Sequence, residues 1–242
     1  MSPHRFHVPE AAPGARVQLP EHAAHHAREV LRLRSGEVVQ VFDGRGQEWQ
    51  AVLEAVTRRE VSAHLGQALV PRPESPLRLV LALSPLKGDR MEIVVQKATE
   101  LGASEIWPVV TARTDAAARP ALQGSRQDRW EKIASGAAEQ CGRAVVPGIA
   151  PTATLDQLLA APFAGRKALL LEIGAPPALA SLPRPESLLI LVGPAGGFEA
   201  SELQRVARAG FLAVGLGPRL LRAETAAIAA VALAQGLWGD LG

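Results

Sequence analysis

The apolar positions change their pattern once along the chain. In the first 70 residues they form strand-like stretches: 37–42 and 48–53 flank the turn Asp43-Gly44-Arg45-Gly46, which predicts a hairpin, and 59–70 predicts a further strand. Between Pro20 and Gly36, Ala23, Ala27, Val30, Leu31 and Leu33 recur at roughly helical spacing, so one helix is expected across a small barrel. Pro71-Arg72-Pro73-Glu74-Ser75-Pro76 then sets three prolines in six residues, where helix and strand are both disfavoured. The expected division is a first domain over residues 1–72 and a second over residues 73–242.

Beyond the prolines strand and helix alternate. Short apolar runs at 77–83, 105–110, 168–173, 188–193 and 211–216 predict strands. Helices are expected over 89–101, where Met91, Val94, Val95, Ala98 and Leu101 share one face, and over 125–143, 154–161, 199–209 and 223–238. Near-continuous apolar strands separated by helices indicate a parallel sheet covered on both faces, an α/β fold.

Composition narrows the function more than the fold. The 242 residues carry a net charge of +2 and one cysteine, which excludes an intramolecular disulfide and every multi-cysteine zinc or iron–sulfur site. No apolar run reaches the roughly 18–20 residues of a membrane span, and the opening MSPHRFHVPE lacks the apolar stretch of a signal peptide. A cytoplasmic protein without membrane contact is expected. Arginine outnumbers lysine 22 to 4, which suits phosphates and base edges, although the alanine excess of a GC-rich genome accounts for the bias equally well. All six histidines (His4, His7, His22, His25, His26, His64) lie in the first 64 residues, so a base further along is expected to be Asp, Glu or Lys. His25 and His26 are adjacent on a helix, face different ways and have no third ligand nearby, so no metal is expected.

In open parallel sheets ligands bind beyond the carboxyl ends of the strands. Two loops there are unusual. Gly193-Pro194-Ala195-Gly196-Gly197-Phe198-Glu199 sets three glycines before a helix, where bare backbone N–H groups can approach a ligand; Leu216-Gly217-Pro218-Arg219-Leu220-Leu221-Arg222 puts two arginines ahead of another. Either alone reads as a tight turn, and both together point to a cofactor site. With no G-x-G-x-x-G after a strand and no Gly-Lys-Ser/Thr loop, dinucleotide dehydrogenases and kinases are disfavoured. What remains is a ligand gripped mostly by backbone, such as S-adenosylmethionine.

Further stretches accompany these loops in order: Arg5; His26 with Val30-Leu31-Arg32; Phe42-Asp43-Gly44; Lys87-Gly88-Asp89-Arg90; Gln96-Lys97-Ala98-Thr99-Glu100-Leu101-Gly102; Arg129-Trp130; Ala138-Glu139-Gln140-Cys141-Gly142-Arg143; and Glu224-Thr225-Ala226. As an ordered set they resemble the bacterial small-subunit ribosomal RNA methyltransferases that methylate N3 of a uridine, the E-type 16S rRNA enzymes of the knotted SpoU–TrmD superfamily. One position departs: the family usually has Glu where this chain has Ala195, so no carboxylate role is carried over there.

The resemblance implies an N-terminal PUA-like RNA-binding β-barrel, then an α/β domain with a C-terminal deep trefoil knot, S-adenosyl-L-methionine as cofactor, and 16S rRNA of the small ribosomal subunit as partner. It also implies a homodimer through the knot helices, for which the small residues of 125–143 and 223–238 allow close approach. RNA contacts are expected from Arg5, His26, Arg32, Lys87, Arg90, Lys97 and Arg143. Cofactor contacts are expected from Glu172, Gly193, Pro194, Gly196, Gly197, Leu216, Gly217, Leu220 and Leu221, with the three leucines lining an apolar slot for adenine. Arg222 is the expected stabiliser of a uridine anion, and Glu224 either positions it or takes the N3 proton. Cys141 reads as a small buried filler. Two other readings stand beside this one: a non-catalytic RNA-binding or ribosome-assembly factor that keeps the fold, and a knotted methyltransferase acting on another RNA position.

Overall fold

A computed structural model describes residues 4–115, 125–170 and 178–242 of the chain. It divides into two compact units, Met1–Pro73 with Ser135–Val146, and Glu74–Ala134 with Pro147–Gly242.

The first unit is a curled five-stranded sheet. Strands β1 (Arg5–His7), β2 (Arg16–Gln18), β3 (Val38–Phe42), β4 (Glu48–Val56) and β5 (Val61–Leu69) lie in the order β1-β3-β4-β5-β2. The expected hairpin is β3–β4, with Val41 opposite Trp49. Its turn is held by the buried Asp43, whose carboxylate accepts from the Arg45 and Gln47 backbone N–H groups at 2.8 and 3.0 Å. Along β4, Trp49, Ala51 and Leu53 point inward while Gln50, Val52 and Glu54 face solvent, the period of a half-buried strand. Two register shifts between β4 and β5 bend the sheet around a core that includes Phe6, Val41, Trp49, Leu53 and Leu65. Strands β1 and β2, at three residues each, are too short to leave a pattern in the sequence.

The helix expected up to Gly36 is shorter. Helix α1 (Glu21–His25) widens into a π-helical turn, His26–Val30, closed by the Leu31 N–H on the His26 carbonyl at 3.0 Å. Arg32 then takes φ 56°, a left-handed conformation that reverses the chain, and Leu33 turns into the core that already holds Ala23, Ala24 and Ala27.

Helix α3 (Ser125–Cys141) stops two residues before the expected end, because Gly142 takes φ +88°. Its last turn belongs to the first unit, where the Arg5 guanidinium closes it. Arg5 Nη1 donates to the Ala138 and Glu139 carbonyls at 3.0 and 3.3 Å, Nη2 to the Arg143 carbonyl at 3.1 Å, and Nε to Glu48 at 2.8 Å. A cation thus satisfies carbonyls that a helix C-terminus leaves without partners.

The second unit is the expected α/β layer. Strands β6 (Arg78–Leu83), β7 (Glu105–Val110), β8 (Gly148–Ile149), β10 (Arg166–Leu170), β11 (Ser187–Val192) and β12 (Leu212–Val214) run parallel in the order β12-β10-β11-β6-β7-β8, and β9 (Ala153–Thr154) also pairs with β7. On one face Val80, Ala82, Leu189 and Leu191 pack with Leu155 and Leu158 of α4 (Leu155–Ala160) and Val206 of α5 (Ala200–Arg208). On the other, α6 (Ala223–Trp238) packs on β6, β11 and α2 (Arg90–Glu100). Two strands differ from expectation. The run 168–173 starts earlier, at Arg166, and its residues past 170 lie outside those described; the run 211–216 pairs over three residues only, as befits an edge. Among the described residues no helix is long and apolar enough to cross a membrane.

One fully buried polar side chain locks α6 into this unit. Gln235 donates to the Gly102 carbonyl at 2.8 Å and accepts from the Ser75 hydroxyl at 2.6 Å. Replacing it with alanine removes both bonds from partly buried groups, the Ser75 hydroxyl still accepting from the Leu77 N–H, at about 1–3 kcal/mol in all. Gln235→Ala is expected to lower the urea midpoint of the chain, and an unchanged midpoint would mean that water replaces both bonds.

Candidate functional site

The parallel register sets the site. Leu83 and Leu170 both stand opposite Val192, and Val214 stands opposite Leu170, so four strands end along one line and their loops leave from one edge. After Val192 the chain turns at once, with the Gly197 N–H on the Pro194 carbonyl at 2.9 Å. A Cβ at Gly193 would stand 2.6 Å from Phe198 Cε2, so only glycine lets that ring fold back over the strand end.

Buried groups from neighbouring segments brace this loop. The Glu202 carboxylate, on a residue 2% exposed, accepts from the Glu199 N–H at 2.9 Å and the Ala112 N–H at 2.8 Å. Arg113 Nη1 donates to the Gly196 carbonyl at 3.0 Å. Ser84, whose N–H reaches the Val192 carbonyl at 3.1 Å, shares a hydroxyl hydrogen bond of 2.6 Å with Thr114. None of these appeared among the sequence candidates: Glu202 to Ala112, Arg113 to Gly196 and Ser84 to Thr114 span 90, 83 and 30 positions, and only Glu202 to Glu199 is local.

Between the loop, the 216–221 segment and the start of α6 lies a cavity of about 140 Å³. Gly193, Pro194, Gly197, Leu216 and Leu221 line it as expected from sequence, joined by Val192, Phe198, Leu203, Ala223 and Ala226. Gly196, Gly217 and Leu220 belong to the same loops but are not among the lining residues, and Leu220 is 64% exposed. Glu172 lies outside the described residues. An apolar hole of about 150 Å³ accommodates a benzene ring, so this cavity suits one planar ring of a larger ligand whose remainder lies outside it.

Arg222 is the exposed N-cap of α6, between the lining residues Leu221 and Ala223. Glu224, in the first turn, faces Arg90 Nε at 3.7 Å, so the side chain brought to it is the one that opens α2. Lys87 and Arg90 are exposed there, and Lys97 further along α2 is paired with Glu100 at 2.9 Å.

The first unit carries a second, larger concavity of about 610 Å³, lined among others by His4, Arg5, His22, His26, Leu31, Arg72 and residues 139–142. His26 is exposed at its edge, and Arg32 is exposed just beyond the π-helical turn. Arg5 lines the wall but directs its guanidinium into the fold, and Arg143 enters the same clamp through its carbonyl. Behind the wall the His7 ring stacks on Phe42 at 5.2 Å, with Nδ1 2.8 Å from the Ser135 hydroxyl. Burial holds His7 below the ordinary histidine range. Burial also pushes the Glu139 carboxyl above the usual carboxylate range, against the His7 N–H that it accepts at 2.8 Å. Among the described residues no three His, Cys, Asp or Glu side chains are grouped to hold a metal ion.

Comparison with known proteins places this geometry in a class. Residues 73–235 match the family model of an RNA methyltransferase domain, and residues 19–65 that of an RNA methyltransferase PUA domain. A Bacillus subtilis protein named ribosomal RNA small subunit methyltransferase E is 33% identical over 86% of this chain and 84% of its own length. Its namesake from Synechocystis is 34% identical over 94% of this chain and 75% of its own. The crystal structure of the Neisseria gonorrhoeae enzyme of that name, bound to S-adenosyl methionine, superposes with a TM-score of 0.90 at 36% identity and covers 100% of both chains. A methyltransferase from Legionella pneumophila, solved with bound S-adenosylmethionine, gives 0.93 at 35% identity, again over 100% of both. The chain belongs to the ribosomal RNA small subunit methyltransferase E family.

The raised Glu139 carboxyl sets a sign for stability. Above the ordinary carboxylate range, near pH 4.3, the folded state binds this proton more tightly than the unfolded chain does, so the group's contribution falls as pH rises. Glutamine keeps an acceptor for the His7 N–H without that penalty. Urea titrations of Glu139→Gln are expected to show it gaining stability relative to the parent as pH rises from the ordinary carboxylate range; a pH-independent difference would assign the effect to packing.

Proposed function

We propose that this chain transfers a methyl group from S-adenosylmethionine to N3 of a uridine in 16S rRNA of the small ribosomal subunit, in the cytoplasm. The observation that carries the reading is the ring-sized apolar cavity at the carboxyl edge of the parallel sheet, inside the segment matching an RNA methyltransferase domain. Two relatives of closely similar fold hold this cofactor. Adenine takes the cavity, with Gly193, Pro194 and Gly197 giving backbone and Leu216 and Leu221 apolar contact; Gly196, Gly217 and Leu220 act through the shape of their loops. We also read the C-terminal segment as a deep trefoil knot, consistent with α6 packing on the turn Leu179–Ser181 and with the bridge between Ala178 and Gly215.

Bound there, the cofactor supplies an electrophilic methyl group. Uridine N3 becomes a nucleophile once it loses its proton, and the charge left behind spreads onto O2 and O4. Arg222, exposed at the cavity mouth, stabilises that charge, while Glu224 takes the proton with Arg90 holding its carboxylate. His26, Arg32, Lys87, Arg90, Lys97 and Arg143 guide the RNA. Arg5 is left out of that set, because its donors are committed inside the fold.

The wild-type chain is expected to transfer labelled methyl from S-adenosylmethionine to small subunits lacking the modification, with N3-methyluridine detected by nucleoside mass spectrometry. Cofactor binding without transfer to any RNA would favour the non-catalytic reading, and another methylated nucleoside would move the target. Arg222→Ala should retain cofactor affinity and lose turnover by a factor on the order of 10² or more.

Gly193→Val should weaken cofactor binding by calorimetry at least tenfold, since its side chain collides with Phe198. In Gly196→Val the nearest contact to the new Cβ is Arg113 Cβ at 3.5 Å, so this variant should bind nearly normally. Equal losses in both would place the adenine elsewhere.

A homodimer through α6 completes the reading, on a different basis from the small residues. Of the small residues expected there, Ala226, Ala227 and Ala230 of α6 and Ala134, Ala137 and Ala138 of α3 are buried within the subunit, Ala229 is half-buried and Gly136 is exposed. Leu233 and Leu237, one turn apart, are exposed on a helix whose single charged residue is Glu224. Light scattering should report a dimer, and Leu233→Glu with Leu237→Glu a monomer; a wild-type monomer with full activity would remove the partner from the mechanism.

A further inference from the structure

We infer that the concavity of the first unit is a seat for one unpaired nucleotide of an RNA strand, its base against His22, His26 and Leu31 and its phosphate toward Arg72. The inference rests on the reading that the chain acts on RNA, and it assigns the contact to named residues. At about 610 Å³ the space lies within the roughly 300–1,000 Å³ of small-molecule sites, several times what a phosphate alone would fill.

The walls are chemically uneven in a way that suits such a guest. His22 and His26 stand four residues apart on the α1 and π-helical run, so both can be presented from one side, with Ala23 and Leu31 as apolar floor. Imidazole rings stack on bases and also donate hydrogen bonds, and splayed, unpaired bases are what proteins read in RNA. The opposite wall is the end of α3, whose dipole alone would repel a phosphate. Here arginines cover that end: Arg5 takes the carbonyls of Ala138 and Glu139, and Arg72 Nη1 takes that of Cys141 at 3.5 Å. The carboxylate among the lining residues, Glu139, already accepts the His7 N–H through Oε1. His4, His22, His26 and Arg72 outweigh it as donors, and the exposed Gln140 amide adds both a donor and an acceptor for a base edge. Duplex RNA cannot offer a single nucleotide to such a seat.

The test uses the full chain, a fluorescein-labelled 12-nucleotide single-stranded oligoribonucleotide of mixed sequence, and the duplex of the same sequence. The variant His22→Ala with His26→Ala should bind the single strand about tenfold or more weakly by anisotropy, the loss when a stacked base is released. Its affinity for the duplex and, by calorimetry, for S-adenosylmethionine should not change. Arg72→Ala should lower the slope of log affinity against log salt by about 0.7, one phosphate contact on a single strand. Uridine monophosphate should compete for the seat in the wild type but not in the double variant, whereas inorganic phosphate alone competing equally well would reduce the seat to an anion site and overturn the base contact. If the double variant proves unstable, Gln140→Glu, which adds a negative charge to the rim, should weaken single-strand binding by itself. Wild-type affinity for the single strand in both variants would overturn the inference even if methyl transfer is intact. Loss of methyl transfer in the wild type with single-strand binding retained would instead overturn the proposed reaction and leave the seat standing.

Discussion

The in-register ending of parallel strands is the constraint from which the second unit follows. Evenly slanted parallel hydrogen bonds fix β6, β10, β11 and β12 so that Leu83, Leu170, Val192 and Val214 finish side by side. Parallel neighbours must be joined by crossovers, which obliges helices to cover both faces, and the chain meets this with α4 and α5 on one side and α2 and α6 on the other. Two helices therefore begin at the edge where the strands stop. A cavity there comes from the topology, and the residues at the edge decide only its size and lining.

Among the described residues, those that line the cavity at that edge carry no polar side chain. What it offers is backbone, freed by glycine and proline, and backbone is useful only if it is held still. The bracing comes from one layer back: Glu202 caps the end of the glycine loop and ties it to the segment after β7, while Ser84, Thr111 and Thr114 form a buried hydroxyl cluster beneath it. Buried polar groups of this kind are costly unless each is paired, and here each has its partner. The loop can thus present bare N–H groups in one arrangement, so less ordering has to accompany binding.

How much of this was legible in the sequence divides by distance along the chain. The β3–β4 hairpin, the alternation of strand and helix, and the two loops that border the cavity were readable because short segments encode them. The π-helical turn was not, since it arises from the need to bury Leu33 in a core already occupied by Ala27, which only the folded sheet defines. Arg5 was expected at the RNA because it is one of the positions that carry the family resemblance. Its clamp on α3 spans 133 to 138 positions, beyond any local pattern. Glu224 was tied to Arg222 by proximity in sequence, whereas the fold brings Arg90 to it from α2. Ala226, Ala227 and Ala230 of α6, expected at an interface, are buried within the subunit, while Leu233 and Leu237 lie outside.

The placement of histidine has a consequence for the proposed chemistry. All six lie in the first 64 residues, so the second unit meets uridine with carboxylates and cations only. A uridine nitrogen acid titrates well above neutrality, so giving up its proton near neutral pH is uphill by about 1.36 kcal/mol for each pH unit of the gap. Proton removal alone therefore cannot carry the step, and the deficit has to be met by stabilising the anion as it forms. In the proposed reaction Arg222, the N-cap of α6, meets that charge, while Arg90 stands 3.7 Å from Glu224. Within the proposed reaction the guanidinium of Arg222 therefore matters more to the rate than the carboxylate of Glu224.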